Sequence, residues 1–234
     1  MNHNSRLTTR EGHSTATVVL QIDGLCHAYS RRPLFKHLNA KISPGVTLIR
    51  GGDGSGKTSL VRLLAGALEV QTGNLSINDV PLSREPERYR EKLFWTDPDT
   101  DAFESISALQ FFERQRSGYP NFHASDAPAL RQLIKGLGLL PHMAKPIYML
   151  SSGTRRKVWL AAAFSAGASV TLLDDPFAAL DNASILFVTR QLQQAALDPA
   201  RALVVTHYDD LGGIPLALTI DLDELSRRLQ GGSE

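Results

Sequence analysis

The residues Gly51-Gly52-Asp53-Gly54-Ser55-Gly56-Lys57-Thr58 carry the chain's clearest chemical spacing. Glycines at such intervals let successive backbone N–H groups turn toward one point without a Cβ in the way. Lys57 adds a full positive charge, suited to the β- and γ-phosphates of a nucleotide. The Thr58 hydroxyl can hold Mg²⁺, and Ser59 follows directly. The pattern G-x-x-x-x-G-K-[ST] is that of a phosphate-binding P-loop.

Such a loop needs a strand before it and a helix after it. Val46 to Arg50 is a short apolar strand. Ser59 to Leu68 carries leucines at 60, 63, 64 and 68, a helical spacing. The helix aims the positive end of its dipole at the same point as the glycine N–H groups. Far along the chain, the apolar strand Val170 to Leu173 delivers Asp174 at its carboxyl end, with Asp175 next to it. An acid so placed beside a P-loop suits Mg²⁺. A later strand, Ala202 to Thr206, ends at His207. Carboxyl ends of parallel strands form the ligand crevice of such sheets.

The other elements alternate. Val18 to Ile22 and Leu34 to Ile42 are predicted strands, with Tyr29 in a polar loop between them. Leu75-Ser76-Ile77 and Leu93-Phe94-Trp95 are strands, and Ser83 to Lys92 is a short exposed helix. Between about 100 and 150 the strand signal disappears. Helices are predicted over Ser107 to Arg116 and Asp126 to Leu139, the second with Leu130, Leu133, Ile134 and Leu137 on one face. Helices are also predicted from Leu150-Ser151-Ser152-Gly153-Thr154 to about Ala166 and over Ser184 to Ala196. A strand and a helix are predicted within Leu216 to Leu229. The alternation implies a parallel sheet covered by helices on both sides.

The 234 residues suit one domain with an inserted subdomain. A formal net charge of +1 gives no electrostatic case for nucleic acid or an anionic membrane. The single cysteine, Cys26, precludes a disulfide framework within the chain. Residues 1–17 are polar without an apolar run, which predicts a frayed start and no secretory signal. No stretch approaches the ~18 apolar residues of a membrane-spanning helix, so any membrane part belongs to another chain.

From Val18 to His207 the order of motifs resembles the nucleotide-binding subunit of ATP-binding cassette (ABC) transporters. The P-loop matches the family's Walker A loop, and Tyr29 matches the aromatic residue that stacks on adenine. Leu150-Ser151-Ser152-Gly153-Thr154 falls where the LSGGQ signature lies. Asp174 matches the Walker B aspartate, Ala179-Leu180-Asp181 the D-loop, and His207 the switch histidine. The resemblance implies a P-loop NTPase core over residues 18–234, with an N-terminal antiparallel β subdomain and a helical subdomain inserted at about 98–160. It implies ATP and Mg²⁺ as ligands and a head-to-tail pair of such subunits, identical or not, trapping two ATP molecules. In that pair Ser151, Ser152 and Gly153 face the partner's γ-phosphate. It also implies a separate integral membrane permease and a place on the cytoplasmic face of the inner membrane. The phrases Leu63-Leu64-Ala65-Gly66 and Asp175-Pro176-Phe177-Ala178-Ala179-Leu180-Asp181 are similar to those of small haem-exporter ATPases of cytochrome c maturation.

Three positions depart from the family pattern. Asp175 stands where the family has a Glu that orients or deprotonates the attacking water. One methylene fewer keeps the charge and loses reach, so slow hydrolysis is expected. The signature reads Ser-Ser-Gly-Thr, and the Ser152 Cβ stands where backbone approaches phosphate. No glutamine follows the Leu93-Phe94-Trp95 strand; Asp97 is the nearest polar residue and a further candidate for Mg²⁺. Two alternatives stand beside a transport ATPase. One is an ATP-dependent dimerisation switch with little hydrolysis. The other is a soluble ABC protein acting on an assembly partner.

Overall fold

The computed structural model describes residues 18–29, 32–124 and 127–231. The expected frayed start at 1–17, the loop residues Ser30 and Arg31, and the helix start at Asp126 lie outside the described residues. Two sheets organise the chain. β1 (Leu20–Tyr29), β2 (Arg32–Ile42), β4 (Thr72–Ile77) and β5 (Val80–Pro81) form an antiparallel sheet in the order β2-β1-β4-β5. β6 (Leu93–Phe94), β7 (Val170–Asp174), β8 (Ala202–His207), β3 (Gly45–Arg50) and β9 (Leu216–Asp221) form a parallel sheet in the order β6-β7-β8-β3-β9.

The parallel strands are near-continuous apolar runs because both faces are covered. Their alternate residues feed two cores. Val46, Leu48, Leu173, Leu203 and Val205 pack under α5 (Ser152–Ser165) and α6 (Asn182–Ala195). Ile49, Val170, Leu172, Ala202 and Val204 pack on the opposite face with α1 (Lys57–Leu64). α1 contributes Leu60, Val61, Leu63 and Leu64 to this core, which it shares with Leu20, Ile22, Leu25, Leu75 and Ile77 of the antiparallel sheet. The P-loop helix is thus held between the two sheets by apolar contact on either side.

Several elements differ from their sequence expectation. Tyr29 is the last residue of β1, paired with Arg32, rather than a loop residue. α1 ends at Leu64, not Leu68, with Gly66 at φ 64°. α2 (Pro86–Glu91) is not wholly exposed: Tyr89 is fully buried, and its hydroxyl donates to the Leu64 carbonyl at 2.8 Å. That bond satisfies a carbonyl that the end of α1 leaves free. The helical stretch between β6 and β7 holds α3 (Ala108–Gly118) and α4 (Pro128–Gly136), plus short 3₁₀ turns at Leu140–His142 and Ile147–Met149. Ser107 caps α3 through a reciprocal Ser107–Gln110 pair. Leu130, Leu133, Ile134 and Leu137 are buried, on the face their spacing predicts. The tail supplies β9 and α7 (Leu222–Gly231). β9 lies beside β3 on the side away from β8, so the P-loop strand is internal to the sheet.

Candidate functional site

The register of β7, β8 and β3 brings three strand ends to one edge. Asp174 is opposite Thr206, Ile49 opposite Thr206, and Arg50 opposite His207. The P-loop continues from β3 at this edge, so residues more than 110 positions apart in sequence meet across one strand. A cleft of about 950 Å³ opens here, walled by Asp53 to Ser59, Tyr29 and Leu34 on one side and by Asp174, Asp175 and Asp223 on the others.

The loop has the backbone that an anion cradle requires. Gly54 and Gly56 are left-handed, at φ 72° and 102°. A Cβ on Gly56 would stand 3.0 Å from the Leu34 side chain, a tight contact at a backbone angle that already favours glycine. No side chain caps α1, which leaves its first N–H groups to a phosphate. Lys57 Nζ donates to the carbonyls of Gly51 (2.7 Å) and Gly52 (2.9 Å), and an ammonium has a third donor for a phosphate oxygen. The Ser55 hydroxyl lies buried in the loop with no hydrogen-bond partner among the described residues. Tyr29 is half-exposed at the rim, its hydroxyl 3.2 Å from Ser59 Oγ.

Asp174 and Asp175 are held by β8. Thr206, fully buried, donates its hydroxyl to Asp174 Oδ1 at 2.6 Å and accepts from the Asp175 N–H at 2.9 Å. Asp175 is left-handed at φ 44°. That conformation costs most L-residues roughly 1–2 kcal/mol and is best tolerated, after glycine, by Asn and Asp. Asp therefore suits this backbone better than Glu would. His207 does not wall the P-loop cleft. It reaches the cleft through Asp175, with Nδ1 3.4 Å from Asp175 Oδ1, and it lines an adjoining cavity with Phe177 and Tyr208.

Lys57 faces Asp53, Asp174, Asp175 and Asp223 in the cleft. A triphosphate would add to this negative charge, which a bound divalent cation would offset. Among the described residues no cluster of three or more His, Cys, Asp or Glu could hold a metal unaided. Mg²⁺ takes one or two protein oxygens and completes its shell with phosphate and water, which the pair Thr58 and Asp174 fits. Asp97, the further candidate for Mg²⁺, does not line the cleft. Its carboxylate turns instead to Arg62 of α1 (3.4 Å) and to the Asp99 N–H (3.0 Å).

Ser151, Ser152 and Gly153 also lie outside this cleft. Ser151 caps α5, its Oγ accepting from the Thr154 N–H at 3.2 Å, and Ser151 and Ser152 are exposed. Four contributors were not legible in the sequence. Thr206 orders the two acids. Asp223, in the first turn of α7, accepts from the Gly52 N–H at 2.9 Å. Gln71 pairs with both backbone groups of Ala28 (2.9 and 3.0 Å), bracing the strand end that carries Tyr29. Arg156 of α5 donates to the carbonyls of Asp174 and Asp175. Only Thr206 carried a signal, its place beside His207.

Residues 35–178, more than half the chain, match the ABC transporter family. This chain belongs to the ABC transporter family. It is an ATP-binding subunit of that family, with a P-loop NTPase fold. Cytochrome c biogenesis ATP-binding export proteins CcmA are similar to this ABC protein. That of Yersinia pestis is 31% identical over 184 residues, covering 78% of this chain and 83% of its own. That of Pseudomonas savastanoi is 30% identical over 190 residues, covering 81% and 88%. Among solved structures, the ATP-binding cassette MJ0796, a dimer in a post-hydrolysis state with ADP and Pi, superposes with a TM-score of 0.68 at 17% identity. It covers 81% of this chain and 88% of its own.

Proposed function

We propose that this subunit hydrolyses ATP slowly and powers a separate membrane permease that exports its cargo. The observation that carries this reading is the single cleft shared by Tyr29, the P-loop, Asp174 and Asp175. Tyr29 stacks on the adenine ring. The loop amides of Gly51 to Thr58 and Ser59, with Lys57, hold the β- and γ-phosphates. Thr58 and Asp174 would hold Mg²⁺, which would neutralise phosphate charge. Asp175 accepts a proton from water as the water oxygen bonds to the γ-phosphorus and the bond to the bridging oxygen breaks. His207 steadies Asp175.

Two such subunits meet head to tail, identical or not. Ser151 and Ser152 are exposed, and with the half-buried Gly153 they lie away from their own cleft, as a group that serves a partner's nucleotide must. The relatives' names as export proteins support transport. No helix among the described residues is long and apolar enough to cross a membrane, and in this reading the permease is a separate chain. Leu109, Leu140, Tyr148 and Met149 are exposed in the helical stretch at about 98–160, an apolar surface for the permease at the cytoplasmic face of the membrane.

Slow turnover follows from Asp175. Its shorter side chain lies 3.4 Å from His207, and its backbone is fixed at both N–H and carbonyl. The same restraint favours the second reading, an ATP-closed switch with little hydrolysis. Purified protein should bind ATP by calorimetry and release phosphate in a single-turnover assay, with Asp175→Glu faster than wild type. Binding without release would move the weight to the switch. Failure to bind ATP would end both readings.

A further inference from the structure

α5 presents Gly153, Arg156 and Lys157 at i, i+3 and i+4, which lie on one helix face. All three meet the segment 174–181. A Cβ on Gly153 would stand 2.4 Å from the Ala179 carbonyl oxygen, so the helix packs directly on that backbone. Arg156 Nη1 donates to the Asp174 carbonyl at 2.9 Å and to the Asp175 carbonyl at 2.7 Å. Lys157 Nζ bonds Asp181 Oδ2 at 2.5 Å. The segment is itself bent: Asp175 and Ala179 are both left-handed, at φ 44° and 59°.

The Arg156 contact explains one of those bends. In an extended strand successive carbonyls point to opposite sides. A left-handed residue breaks the alternation and turns neighbouring carbonyls to the same side, where one nitrogen can take both. Breaking the clamp would leave two carbonyls without this donor and remove what holds Asp175 in an uncommon conformation. The Asp175 side chain, which lines the nucleotide cleft, is aimed by that backbone.

We propose that Arg156 is a positioning residue that ties the signature end of α5 to Asp175, so that a displacement of the Ser151–Gly153 turn moves the hydrolytic carboxylate. This rests on the reading of Asp175 given above. It makes the exposed signature turn a lever on the subunit's own cleft as well as a surface for a partner's nucleotide.

The test compares wild type, Arg156→Ala and Arg156→Lys. Calorimetry gives the ATP dissociation constant, steady-state assays give kcat and KM, and hydrogen exchange reads the peptides covering 174–181 and 46–58. Arg156→Ala should lower kcat about tenfold or more with the dissociation constant within about twofold. Exchange should rise at 174–181 and stay unchanged at 46–58. Arg156→Lys keeps one charged nitrogen that can reach the carbonyls and should recover part of both effects. Three results would overturn the proposal: unchanged exchange at 174–181, a dissociation constant that rises in step with the loss of kcat, or Lys behaving as Ala. Were wild type itself to bind ATP without turnover, the hydrolysis reading would fail. The exchange comparison would still decide the clamp.

Discussion

Thr206 shows how much a single buried hydroxyl can organise. It is fully buried between β7 and β3 and bonds both the Asp174 carboxylate and the Asp175 N–H. Thr206→Val keeps the shape and removes both partners. The Asp175 amide is then left unsatisfied, which costs about 1–3 kcal/mol. A chemical denaturation series should show that loss, and ATP turnover should fall with it. A variant as stable and as active as wild type would remove Thr206 from the account. The same scale accounts for Asp97 standing apart from the cleft wall. Its place after β6 fits a metal role, but Arg62 is only one helix away and takes its carboxylate.

Between elements, the contact of α5 with the start of α6 is electrostatic at its edge. Asp181 caps α6 through the Ser184 N–H and bonds Lys157 of α5. Lys157 first, and the Ser184 N–H second, hold the Asp181 carboxyl well below the usual carboxylate range. A carboxyl lowered on folding contributes stability above its unfolded pKa of about 3.9, and the contribution fades as pH falls through the folded value. Asp181→Asn keeps the cap but loses the charge. Its melting temperature should fall below wild type at pH 7, and the gap should narrow below about pH 4. Salt should narrow it too, because Asp181 is largely exposed. A gap independent of pH would assign the effect to packing instead.

At the scale of the whole molecule, the cleft is closed by parts from both sheets and from the tail. β1 brings Tyr29, β3 the P-loop, β7 the acids and α7 Asp223. A ligand that touches all of them stabilises the folded state by mass action. ATP with Mg²⁺ at 100 times its dissociation constant adds about 2.7 kcal/mol. For a domain of this size that raises the melting temperature by roughly 5–10 °C. Removing Mg²⁺ with a chelator should shrink the shift, since the cleft's aspartates then face the phosphates without a divalent ion between them. An equal shift with and without Mg²⁺ would count against Thr58 and Asp174 as its ligands.

The sequence by itself determined the parts whose chemistry is local. A P-loop needs glycines, a lysine and a helix start within eight consecutive residues, so Gly51 to Thr58 could be read directly. The apolar runs ending at Asp174 and His207 were legible because strands buried on both faces show no polar alternation. The order of motifs was enough to place the chain in its family. Strand order was decided only by the tertiary structure. β8 lies between β7 and β3, and this puts Thr206 on Asp174 and His207 on Asp175. Non-local backbone contacts were likewise hidden: Arg156 on two carbonyls, Asp223 on the Gly52 N–H, Tyr89 on the Leu64 carbonyl. A hydrogen bond to a backbone atom reads the position of a peptide group and not its side chain, so no residue type along the chain announces it.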